Sequence, residues 1–93
     1  MITEVEISKR AQKQLKKMPV RIAKSLQLWV HAVAAVGLDE IRRIPGYHDE
    51  PLKGNRKGQR SIRLSRSYRT IYIVKTHDKG EFVFISEVNR HVY

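Results

Sequence analysis

Near residue 50 the spacing of apolar side chains changes, and that change leaves the chain few architectures to choose from. Before it, Ile22, Leu26, Trp29, Val30 and Val33 recur every three or four residues, the period of one helix face. After it, "RSIRLS" alternates, with Ile62 and Leu64 on one side and Ser61, Arg63 and Ser65 on the other. "YRTIYIVK" and "EFVFISEV" are apolar on both faces, as inner strands are. A chain that is helical in its first half and β in its second must lay helices against a sheet to bury both. At 93 residues it forms one domain, spanning 1–93, around a single modest core.

The punctuation fits. "TEVEIS" alternates as a short first strand, and Ser8 caps a helix whose Ala11, Leu15 and Met18 share a face. Pro19 divides that helix from the next, and Gly37 stops the second. "LDEIRRI" reads as a short helical turn, "PGYHDEP" as an irregular loop and "HDKG" as a tight turn between strands. The expected fold class is therefore α+β, in the order β-α-α-β-β-β. The N-terminal strand joins a mostly antiparallel sheet of about four strands, with the two helices packed on one face.

Composition narrows the function. With 41% hydrophobic and 30% charged residues the chain folds rather than staying disordered. It has no cysteine, hence no disulfide framework and no thiolate metal site. His31, His48, His77 and His91 show no metal-ligand spacing, and no phosphate-binding glycine loop or nucleophile elbow is present, so no metal or other cofactor is expected. Neither a leader-like segment nor an apolar run of membrane-spanning length occurs. The expectation is a soluble, cytoplasmic protein without a membrane partner.

The charge is lopsided: 19 Lys and Arg against 9 Asp and Glu, net +10, which points to a polyanionic partner and to nucleic acid first. The cations between Lys9 and Lys24 read as a solvated helical face. Those between Glu50 and Tyr72 differ. Lys53, Arg56, Lys57, Arg60, Arg63, Arg66 and Arg69 follow one another with no intervening acid, and arginine predominates. Arginine's planar fork binds phosphate bidentately, which a surface that need only be soluble does not require. Arg56, Lys57, Arg60 and Arg66 are accordingly candidate RNA contacts.

The same stretch resembles the RelE superfamily of bacterial type II toxins, especially its YoeB- and HigB-like branches. The shared frame is Pro51-Leu52-Lys53, Gly58, Ser61, Arg63-Leu64, Arg69 and Tyr72, then a strand, then the ending "EVNRHVY". It covers about half the chain at motif level. The resemblance implies a metal-independent messenger-RNA endonuclease that works in the ribosomal A site, contacts ribosomal RNA, and is held inactive by a cognate antitoxin protein. It also implies the chemistry: an RNA 2′-hydroxyl attacks the adjacent phosphate and leaves a 2′,3′-cyclic phosphate.

That reaction needs a base, cations at the phosphate and an acid for the leaving oxygen. By position in the frame, Arg63, Arg69 and Lys53 supply the cations, and Arg90 resembles the family's C-terminal arginine. Glu50 stands where YoeB-like toxins carry a glutamate, either as the base or as an acid that orients a neighbouring cation. His91 and Tyr93 compete for the role of acid. YoeB-like chains place histidine beside the terminal tyrosine, whereas this chain has Val92 there. Two other readings fit the basic surface: a ParE-like inhibitor of DNA gyrase, and a non-catalytic RNA- or ribosome-binding module.

Overall fold

The computed structural model describes residues 1–90. Strand β1 (Val5–Ile7) is followed by helices α1 (Lys9–Lys16), α2 (Val20–Val36) and α3 (Leu38–Arg42). Strands β2 (Glu50–Pro51), β3 (Arg60–Arg63), β4 (Tyr68–His77) and β5 (Gly80–Arg90) complete it. They form one five-stranded sheet in the order β1-β5-β4-β3-β2, in which β1 runs parallel to β5 and the other neighbours are antiparallel. The α+β architecture is the one the sequence implies, with two additions. The "LDEIRRI" turn forms a true third helix, and an edge strand of two residues, one of them proline, brings the sheet from four strands to five.

Local chemistry accounts for the boundaries. Ser8 accepts a hydrogen bond from the Ala11 N–H at 3.0 Å, satisfying one of the unpaired donors at the start of α1. Gly37 ends α2 with φ 88, and a Cβ there would lie 2.6 Å from Met1 Cγ. Only glycine makes that turn without strain, and it lets α3 begin at once. Asp78 and Lys79 form the β4–β5 turn, closed by Gly80 with φ 115.

One face of the sheet carries the core. Ile22, Leu26, Trp29 and Val33 of α2 pack with Ile62, Tyr72, Ile85 and Val88 of the sheet, and all are at most 1% exposed. Trp29 meets Tyr72 ring to ring with centroids 5.4 Å apart. Helix α1 closes the free edge of β5, where Ser8 donates to the Ser86 carbonyl at 2.9 Å and the Val88 N–H donates to Gln14 Oε1 at 2.7 Å. All three helices contribute to this core, while on the opposite face Ser61, Ile71 and Glu87 are buried in one row and Arg56 of the β2–β3 loop reaches Glu87 at 2.9 Å.

Candidate functional site

Cross-strand register decides which side chains meet on that opposite face. Residues paired directly across antiparallel strands project to the same side. Glu50 pairs with Ser61, Ser61 with Ile71, and Ile71 with Glu87. The next row along is Arg63, Arg69 and Asn89. The frame residues Glu50, Arg63 and Arg69 therefore lie in adjacent rows on one face. They line a single polar cleft, joined by His48, Ser61 and Arg66. Among the described residues Glu50 is the one carboxylate lining it, and Arg63, Arg66 and Arg69 make no ion pair.

Arg63 and Arg69 sit directly opposite each other. Two guanidinium groups in that relation repel, so the sheet is less stable for holding them there. A bound dianion would reverse the sign of that interaction. His48, which precedes the Asp49–Glu50 pair, adopts the left-handed conformation with φ 46. This is uncommon for a residue with a side chain, although histidine tolerates it better than most. It is exposed and sits in the cleft with Glu50.

The loop carrying both residues is anchored from behind by a network that sequence reading missed. The Asp49 carboxylate, 1% exposed, accepts hydrogen bonds from Arg60 Nε at 2.6 Å and from the Tyr72 hydroxyl at 2.6 Å. Arg42 of α3 donates to the same hydroxyl at 3.3 Å. Burial would lower the Arg60 pKa, but the hydrogen bond and charge of Asp49 outweigh it and leave it raised. Burial and the hydrogen bond to Asp49 push Tyr72 from 10.0 up to about 12. Its contribution to stability is fully present below pH 10 and is lost as the pH rises through about 12. An alkaline absorbance titration should therefore show a tyrosine step near pH 12 that disappears in Tyr72→Phe.

The other predicted contacts divide. Arg60, taken from sequence as an RNA contact, is bound to Asp49 on the helix side of the sheet, because it shares a face with Ile62. Arg56 is bound to Glu87 at 2.9 Å, a carboxylate that Arg10 of α1 also reaches at 3.1 Å. Arg60 is thus held within the fold, whereas Arg56 is exposed and ties its loop to β5. Lys53 and Lys57 are exposed on the loop between β2 and β3 and do not line the cleft. Arg90 pairs with Tyr68 and lines a second depression with Gln14 and Lys17, and Tyr68 lines both this depression and the polar cleft. His91 and Tyr93 lie outside the described residues. Among the described residues no cluster of three or more His, Cys, Asp or Glu that would hold a metal ion occurs, and no helix is long and apolar enough to cross a membrane.

No family model and no curated protein matches the chain. Solved structures do. A YoeB/ParE toxin from Agrobacterium tumefaciens superposes with a TM-score of 0.67 at 16% identity, over 96% of this chain and 99% of that one. YafQ from E. coli gives 0.72 at 18% identity over 94% and 91%. The toxin-antitoxin complex RelBE2 from Mycobacterium tuberculosis gives 0.59 at 25% identity over 98% and 100%. Agreement runs through nearly the whole of each chain, and the protein has the RelE/ParE-like toxin fold.

Proposed function

We propose that this protein is the toxin of a toxin-antitoxin pair and that it cuts messenger RNA in the ribosomal A site. The observation that carries the reading is one cleft holding Glu50 together with Arg63, Arg66 and Arg69, on the sheet face that no helix covers. A solvated surface would spread those arginines; repulsion opposes gathering them. An RNA phosphate supplies the missing negative charge.

In the reaction, the 2′-oxygen of one nucleotide bonds to the adjacent phosphorus and the bond from phosphorus to the 5′-oxygen breaks. Glu50 takes the proton from the attacking hydroxyl. Arg63 and Arg69 hold the doubly charged phosphorane, the state in which their field counts most. A proton must also reach the departing 5′-oxygen. His48 lines the cleft and is a donor of suitable type, beside His91 and Tyr93, the sequence candidates for that role. Each well-placed proton transfer is worth ~10²–10⁴-fold. The nucleophile is the RNA's own hydroxyl, so the scheme calls on no cofactor.

Lys53 and Lys57 suit contacts to the ribosomal or messenger backbone beyond the cut. The antitoxin partner follows from the same charge: an idle cleft of three arginines is most stable when a partner segment covers it. One of the similar structures is the toxin-antitoxin complex RelBE2, and another is a YoeB-YefM complex from Staphylococcus aureus.

Purified protein added to ribosomes stalled on a defined A-site codon should cut that codon once. A single 2′-deoxy nucleotide 5′ to the cut should abolish it. Supercoiling by DNA gyrase, run in parallel, should be unaffected. Inhibited gyrase with intact RNA would establish the ParE-like alternative, and ribosome binding without cutting would establish the non-catalytic one.

A further inference from the structure

Next to the polar cleft lies a second, apolar one, lined by Ile44, Gly46, Tyr47, Arg63 and Leu64. Arg63 lines both. The turn Pro45–Tyr47 ends at His48, whose φ of 46 reverses the chain. Consecutive residues thereby serve different clefts, Tyr47 the apolar one and His48 the polar one. Ile44 is 44% exposed, an isoleucine in water beside the most basic part of the surface. Tyr47 is half-buried, with part of its ring held against the core and part left open. Nothing stands within 4 Å of where a Gly46 side chain would begin, so the mouth of the cleft is unobstructed there.

We infer that this apolar cleft takes the nucleobase next to the cleaved linkage, stacked on Tyr47, while Arg63 spans base and phosphate. The inference rests on the proposed RNA cleavage and adds to it a base-binding subsite. A nucleotide joins a charged phosphate to a flat apolar base through one sugar. Two neighbouring clefts of matching character, sharing one guanidinium wall, have the corresponding form. Arginine serves on both sides, since its fork binds phosphate and its plane stacks on rings. Aromatic stacking accepts any base, so the subsite favours a base over no base more than one base over another.

The test uses programmed ribosomes in which either nucleotide flanking the cut is intact or abasic, with wild-type, Tyr47→Phe and Tyr47→Leu proteins. Leucine keeps apolar volume but removes the ring, and thermal melting checks that each variant folds. Removing one particular flanking base should slow the wild type about 5- to 100-fold, the range for a lost aromatic stack. Tyr47→Phe, which keeps the ring, should remain sensitive to removal of that base. Tyr47→Leu should cut intact RNA slowly and be indifferent to removal of that base, because each change deletes the same contact. Wild-type speed in a folded Tyr47→Leu protein, or two effects that simply multiply, would overturn the subsite and leave the cleavage reading standing. Failure of the wild type to cut any RNA is a separate result, and it would remove the reading beneath the subsite.

Discussion

Arg69→Gln should slow RNA cleavage by about 10²–10³-fold, the loss typical of removing one preorganised partner of a transition-state charge. The same variant should be as stable as the wild type or more so, by up to about 0.5 kcal/mol, because like charges directly opposed across strands are destabilising by that order. The combination is diagnostic. Arg69 faces Arg63 across the β3–β4 pair, and neither makes an ion pair among the described residues. A structural arginine would cost stability when lost and leave chemistry alone. A phosphate-binding arginine does the reverse. Arg63→Gln should behave likewise, and the double variant should lose less than the product of the two, since both act on one phosphate. Lysine at position 69 should restore the rate only in part, because it offers a point charge in place of a fork. Unchanged cleavage with a lowered melting temperature would remove Arg69 from the site.

The largest effect on folding should come from Asp49→Ala. It leaves the Arg60 guanidinium and the Tyr72 hydroxyl, both bonded to Asp49 at 2.6 Å, without their acceptor. Breaking a buried pair costs about 3–5 kcal/mol; Arg60 is 27% exposed and regains some hydration, which brings the expectation to about 2–4 kcal/mol. Denaturant unfolding measures it directly. Because Asp49 lies between His48 and Glu50, cleavage should fall as well, although the carboxylate faces away from the cleft. Asp49→Asn keeps an acceptor for one of the two donors and should recover part of both losses. An Asp49→Ala protein as stable as wild type would show that the network behind the loop holds nothing.

These cases also show where the sequence was readable. The period of α2, the cap at Ser8 and the alternation of β3 are local signals, and each appears in the structure where the pattern places it. Glu50, Arg63 and Arg69 were picked out by their place in a motif, and strand register explains why those positions come together. The fold of Arg60 onto the helix side was readable too, in its parity. It alternates with Ser61 and so shares a face with the core residue Ile62, whereas Arg63 does not. Treating the basic run as one cluster hid that difference. Glu87 gave a similar signal, an acid well inside the largely apolar strand β5, which calls for the cationic partners it has in Arg10 and Arg56. Strand β2 gave none. Two residues, one of them proline, carry no period, and only pairing with β3 defines them as a strand.

The most direct measurement is the chemistry of the cut end. Mass spectrometry of the upstream fragment, released from ribosomes by the wild-type protein, should find a 2′,3′-cyclic phosphate, with a free 5′-hydroxyl on the fragment downstream. A 3′-hydroxyl end with a 5′-phosphate opposite would mean that water or another external nucleophile attacked. In that case the arginine cleft would not be working as a site that lets the RNA strand cut itself.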